Sequence, residues 1–202
     1  MANLRTPDRL VRFLEPGPLI DFDAPEIATF ADEYAHSVDQ IEAAKRVFHF
    51  VRDEVQHSWD IQSHRVTRSA TDVLTCREGI CYAKSHLVAA LLRRAGIPAG
   101  ICYQRLTLLD DDSAGYAVHA LNTVYLEPLG RWIRFDARGN KPGVDAQFSL
   151  TEERLAFHIR PEYDEVDYLV NYSEPHPAIG EALRNHDDAI TMYRTGLPST
   201  LM

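Results

Sequence analysis

The chain has 202 residues, with Lys+Arg 21 against Asp+Glu 30 for a formal charge of −9, and 45% of its residues are hydrophobic. This is the composition of an ordinary globular protein and excludes a disordered chain, a collagen and a disulfide-stapled miniprotein. An acidic balance with no block of Lys and Arg repels phosphate backbones, so no nucleic-acid partner is expected.

The longest uninterrupted apolar run, Leu87–Leu92, falls far short of the roughly 20 residues that span a bilayer, so no membrane partner is expected. Arg5, Asp8, Arg9, Arg12 and Glu15 interrupt the N-terminus. They leave no room for a signal-peptide core of about 7–15 apolar residues, and the expected location is cytoplasmic. Cys76, Cys81 and Cys102 cannot all pair with one another, so at least one thiol is free. No repeat, low-complexity tract or Gly/Ser linker divides the chain. One domain over residues 1–202 is expected, with an N-terminal strap over about 1–22, a core over about 24–140 and a helical extension over about 150–202.

In chain order, Asp23 is placed to cap a helix whose apolar face is Ile27, Phe30, Ala31, Tyr34 and Ala35. Asp39 with Glu42 three residues on opens a second helix carrying Ile41, Ala44, Phe48, Val51 and Val55. His57–Ile61 reads as a short extended segment. Ser69 and Asp72 then open a brief helix with Val73 and Leu74, which Gly79 is placed to stop. From Cys81 to Ala95 the apolar residues cover most sides, and Arg93, Arg94, Gly96 and Pro98 mark the end. Such a helix belongs at the centre of the molecule.

The period then changes to alternation in Ala99–Leu109, Tyr116–Glu127 and Arg131–Ala137, separated by Asp110–Gly115 and by Glu127–Gly130. This predicts an antiparallel meander. Helical patterns return at Leu150–Phe157, after Pro177 and over Asp187–Tyr193. Helices, then strands, then helices describe an α+β domain.

Cys81 is the first residue of the central helix, where unpaired N–H groups and the helix dipole favour a thiolate. Cys102 lies within a strand and reads as a small buried hydrophobe, whereas Cys76 is open to either reading. A nucleophilic thiol needs a base, and the base needs an orienting group. His119 and Asp136 stand on neighbouring predicted strands. If Glu127–Gly130 joins them so that Leu126 faces Arg131, paired numbers sum to 257. Asp136 then lies opposite Leu121, and His119 opposite Arg138. His119 and Asp136 share a face as diagonal neighbours about 7 Å apart, whereas a loop one residue different would separate them. The remaining histidines (His36, His49, His57, His64, His86, His158, His176 and His186) have no such partner and read mostly as surface or capping residues.

The string Asp72-Val73-Leu74, then Arg77 through Leu87 with Gly79-Ile80-Cys81-Tyr82-Ala83 at its centre, then Ala90–Arg93 and Ala95-Gly96-Ile97-Pro98-Ala99, resembles the nucleophile helix of the transglutaminase-like superfamily. His119-Ala120 with Val124–Leu126, and Trp132–Ala137, are similar to its histidine and aspartate strands. The three blocks stand in the family's order over roughly residues 40–140. The resemblance implies a papain-like core with the cysteine helix packed on an antiparallel sheet. It also implies a Cys81–His119–Asp136 triad acting by acyl transfer on an amide or peptide bond through a thioester, with a peptide, protein or small amide as substrate and no cofactor or metal.

The backbone N–H of Cys81 is then the first oxyanion donor, and Trp59 and Gln56 are candidates for the second. Leu121 and Asn122 stand where many members carry Trp after the histidine, and Tyr82 stands where the animal crosslinking enzymes carry Trp after the cysteine. Those departures favour hydrolysis over protein crosslinking.

Two other readings compete. Cys76, Cys81 and His86 recur at five-residue intervals, but on a helix five residues turn by an effective angle of about 140°, so these side chains diverge rather than close on zinc. A non-catalytic binding module could also keep the fold, since fold alone does not establish activity.

Overall fold

The computed structural model describes residues 2–35, 38–109 and 111–201, and shows a mixed helix and antiparallel-sheet molecule. Its elements are α1 (Pro25–Tyr34), α2 (Gln40–Glu54), β1 (Gln56–His57), α3 (Ala70–Cys76), β2 (Glu78–Gly79), α4 (Cys81–Arg94), β3 (Ala99–Thr107), β4 (Tyr116–Leu126), β5 (Arg131–Phe135), β6 (Val166–Asp167), α5 (Pro177–Arg184) and α6 (Ala189–Thr191). Among the described residues no helix is long and apolar enough to cross a membrane.

The helix starts follow local chemistry. The Asp39 carboxylate accepts the N–H groups of Ile41 and Glu42, so α2 begins where its cap dictates. Ser69 and Asp72 form a reciprocal capping box at α3. Two expectations fail. α1 is preceded by Ala24, which makes no side-chain cap, because Pro25 occupies the first turn and Asp23 falls one residue too early. α3 ends not at Gly79 but at Arg77, which takes the left-handed conformation (φ 56°). Gly79 serves a close approach instead: a Cβ there would stand 2.9 Å from Thr67 Oγ1 and 3.4 Å from the Ala83 methyl.

α4 is buried at every residue from Tyr82 to Arg93. It lies between α1, α2 and α3 on one side and strands β3 and β4 on the other. Leu87, Leu91, Leu92, Val47, Phe48, Val51, Ile101, Val124 and Ile133 fill the space between these layers. Each such side chain contributes roughly 1.5–3 kcal/mol of burial relative to exposure, which is why a short meander and three helices suffice to hold α4 at the centre.

The main sheet runs β5-β4-β3-β6, all antiparallel. Leu126 faces Arg131 and Asn122 faces Phe135, so the pairing sum is 257 as the loop length predicted. The strands stop slightly earlier than expected, at Thr107, Leu126 and Phe135. A second, two-stranded parallel sheet joins β1 to β2, with His57 opposite Gly79. Its strands are too short to leave a periodic trace. The N-terminal strap is tied to this body by Phe13, which packs on Trp132 with ring centroids 4.8 Å apart, and by the bridge from Arg5 to Val170.

Leu150–Phe157 is not helical. It is an extended loop with a single bridge from Gln147 to Arg154. Its apolar residues recur at helical spacing, but Leu155 turns to Cys102 and Leu121 while Ala156 packs with Val144 and Ala146. These two separate demands on adjacent residues are met by an extended backbone. Helices do form at Pro177–Arg184 and Ala189–Thr191, the latter running into a π-turn over Met192–Gly196.

Candidate active site

Cys81 is half-buried at the first position of α4, and Ile80 before it makes no side-chain cap. The first-turn N–H groups of α4 therefore face whatever approaches the thiol. Polar side chains tie α4 to the sheet. The Tyr82 hydroxyl donates to the carbonyl of Val118 at 2.7 Å, and the Asn122 amide donates to the Ser85 and Gly100 carbonyls at 3.0 and 3.1 Å. Tyr82 and Asn122 thus fasten α4 to β4.

His119 and Asp136 are both buried, at 6% and 0% exposure. His119 lies past the last β4–β5 pair, and Asp136 is the residue that follows β5. His119 Nε2 and Asp136 Oδ2 are 2.7 Å apart. Cys81 interacts electrostatically with the same imidazole and, like Asp136, favours its protonated form. Asp136 accepts two further N–H groups, from Arg138 at 3.0 Å and from Ala156 at 3.3 Å. Phe157 closes on the imidazole edge-on at 5.1 Å. The loop read as a helix thus supplies one donor and one wall of the pair.

The electrostatics follow from burial and pairing. Burial alone would lower the His119 pKa, but attraction to Asp136 and Cys81, with the hydrogen bond to Asp136, outweighs it and raises the pKa to about 10. Burial works to raise the Asp136 pKa, and the His119 charge with three N–H donors overcomes it and lowers it. The arrangement favours a charged imidazole beside a charged carboxylate. Cys102 is the opposite case: wholly buried, its thiol is pushed far up by desolvation.

Other residues around the site leave little trace in the sequence. His57 is 5% exposed, and its Nδ1 has no partner among the described residues. Burial, then Arg138 and Lys84, hold its pKa well below the usual histidine value. His86 is 0% exposed, with Nδ1 against the Arg68 carbonyl at 2.8 Å. Both correct the reading of these histidines as surface or capping residues. His176 does cap α5, and His36 lies outside the described residues.

Trp59 stacks on Tyr193 at 4.1 Å. Burial and then the Cys81 charge raise Tyr193 to about 12. Gln56 is exposed. The Arg138 guanidinium forks onto Asp60 at 2.5 and 2.9 Å, and Lys141 joins the same carboxylate at 3.0 Å. Cys76 and His86 go to different neighbours, the Arg65 guanidinium and the Arg68 carbonyl, while Cys81 interacts with the His119 imidazole. Among the described residues no three His, Cys, Asp or Glu side chains are grouped to hold a metal ion.

Helix, sheet and site order together define a papain-like core of the transglutaminase-like type. The model of the transglutaminase-like superfamily matches residues 28–137, and the chain belongs to that superfamily. No curated protein matches it. Among solved structures it is similar to a proposed cysteine protease from Cytophaga hutchinsonii, with 24% identity, a TM-score of 0.52 and coverage of 64% of this chain and 42% of that one. It is also similar to the periplasmic domain of TgpA from Pseudomonas aeruginosa, at 19% identity and TM-score 0.48, covering 63% and 46% of the two chains. A third is a TGase, at 16% identity and TM-score 0.42, covering 64% and 34%. The chain spans less than half the length of each of these proteins. The first likeness bears on the fold alone.

Proposed function

We propose that this protein is a cysteine-dependent acyl-transfer enzyme that hydrolyses an amide or peptide bond, with Cys81 as nucleophile, His119 as base and acid, and Asp136 as the orienting carboxylate. The observation that carries the reading is the buried, hydrogen-bonded His119–Asp136 pair, whose imidazole interacts with Cys81 at the first position of α4. His119 takes the thiol proton, and the thiolate adds to the substrate carbonyl. The oxyanion meets the backbone N–H at the start of α4. The imidazolium gives its proton to the leaving amine as the C–N bond breaks, leaving a thioester on Cys81. Water, deprotonated by His119, then adds to the thioester and releases the acid and the thiol. Trp59 stacks on Tyr193, a ring that feels the Cys81 charge, and is the better candidate for a second oxyanion donor, since Gln56 is exposed.

The test is a screen of the purified protein against peptides, isopeptides and small amides, with Cys81→Ala as the blank. Mass spectrometry should trap an acyl-Cys81 adduct for any substrate turned over. Hydroxylamine added as a competing amine measures how the thioester divides between water and amine. Hydroxamate as the dominant product would make the enzyme a transferase, and turnover equal in the Cys81→Ala variant would move the chemistry elsewhere.

A further inference from the structure

Lys84 lies one turn after Cys81 on α4, and only 1% of its surface is exposed. An ammonium is a costly group to bury, and a sequence keeps one buried only where it has partners. It has two: Nζ donates to the Val55 carbonyl at 2.6 Å and to the Arg138 carbonyl at 2.7 Å. Val55 ends α2 and leads straight into β1 with His57 and on to Trp59. Arg138 lies two residues beyond Asp136, and its N–H donates to Asp136 Oδ1 at 3.0 Å.

The contacts form a chain. From Lys84, three residues along α4 from Cys81, it runs to the Arg138 carbonyl, back through the Arg138 N–H to Asp136, and from Asp136 to His119, whose imidazole interacts with Cys81. Lys84, Arg138, Asp136 and His119 are all buried. The Lys84 link ties the Asp136–Arg138 turn directly to α4.

We propose that Lys84 is a positioning residue, whose paired carbonyl contacts hold the Asp136–Arg138 turn and the β1 entrance against the nucleophile helix and so set the His119–Asp136 pair at the height of the Cys81 thiol. This rests on the proposed acyl-transfer reading for its purpose, but not for its geometry. Burial, and then Arg138, lower the Lys84 pKa to about 7 while Asp136, Asp60 and Cys81 raise it. A neutral amine still offers two N–H bonds to two carbonyls, so the link survives loss of the charge.

The test replaces Lys84 by Met in the full chain, keeping shape and removing the donors. Two readouts need no substrate. The first is the iodoacetamide rate of Cys81 at pH 6.5 relative to Cys76 in the same molecule, which should fall at least tenfold. The second is the downfield proton resonance of the His119 N–H shared with Asp136, which should move upfield or vanish. A merely structural lysine lowers the melting temperature and leaves both unchanged, and that result in a folded variant overturns the proposal.

If Lys84→Met does not fold, Gly139→Ala decides. Gly139 sits at φ +117°, a conformation that L side chains rarely adopt, so alanine there strains the turn that carries the Arg138 carbonyl. The same two readouts should then move in the same direction, with a fall of at least threefold in rate, and no change overturns the proposal. Absence of turnover on every amide, with Cys81 reactivity still dependent on Lys84, would end the acyl-transfer reading alone. Turnover that needs Cys81 but is indifferent to Lys84→Met, with both readouts unmoved, would end the positioning role alone.

Discussion

The hydroxyl of Tyr82, the residue after the cysteine, donates at 2.7 Å to the carbonyl of Val118, the residue before the histidine. One buried side chain thereby sets the distance between the two strings that carry Cys81 and His119. Tyr82→Phe keeps the ring and leaves the Val118 carbonyl unpaired, which should cost about 1–3 kcal/mol of stability by urea denaturation. It should also slow Cys81 alkylation without changing that of Cys76. Unchanged values for both would show that packing of the ring alone holds the two strands.

Cysteine selectivity separates the three thiols by their surroundings. Iodoacetamide should modify Cys81 before Cys76 and Cys102, because Cys81 stands at a helix start and interacts with an imidazole, whereas Cys102 is wholly buried and its thiolate is disfavoured by desolvation. Peptide mapping after brief exposure at neutral pH checks the order. Cys102 labelled first would mean that the strand opens more readily than the cleft.

Loss of Cys81 or His119 should each remove activity by factors on the order of 10³ or more, and the double variant should be little worse, because a thiol and its base work as one unit. Asp136→Asn should be milder in rate, since an amide still holds the ring, though it stabilises the imidazolium poorly. It should cost stability too. Asp136 accepts from His119, Arg138 and Ala156, and the amide nitrogen of Asn must face at least one of those N–H groups. Kinetics on a verified substrate and thermal melts of the same preparations check both statements.

The pH dependence of stability has a defined sign on each limb. Burial lowers His86 from 6.5 to about 4. The folded state therefore refuses a proton that the unfolded chain accepts, and stability should fall as pH drops from 6.5 to 4. His86→Gln should flatten that limb. Between about 7 and 10 two buried groups oppose one another. His119, raised to about 10, contributes stability that is full below 6.5 and is lost as pH rises through 10. Lys84, lowered from 10.5 to about 7, carries a penalty that is relieved as pH rises over that span. Melting temperature should therefore be nearly level there in the native protein, rise with pH in His119→Ala, and fall with pH in Lys84→Met. The same slope in all three proteins would refute the assignment.

Local chemistry was readable before any coordinates. The Asp39 cap, the Ser69–Asp72 box and the extent of α4 depend on residues within one or two turns of one another. The sheet register was readable for the same reason: Glu127–Gly130 is short, so its length fixes Leu126 against Arg131, and side-chain alternation carries His119 and Asp136 to a common face. The fold class and the three residues of the candidate site follow from those local rules and from the resemblance of their motifs.

Tertiary structure alone decided what surrounds them. Residues 150–157 repeat at helical spacing, yet they lie extended because Leu155, Ala156 and Phe157 answer to three different neighbours, and no local period encodes that. Lys84, His57 and His86 are polar letters within or beside apolar segments. Whether each faces water or a buried carbonyl depends on which distant loop covers it. Helix caps and strand registers are settled by chain neighbours a few ångströms away along the backbone. The burial of a charge is settled by segments far along the chain, such as Val55 and Arg138, 29 and 54 residues from Lys84, and their arrival depends on the packing of the whole molecule.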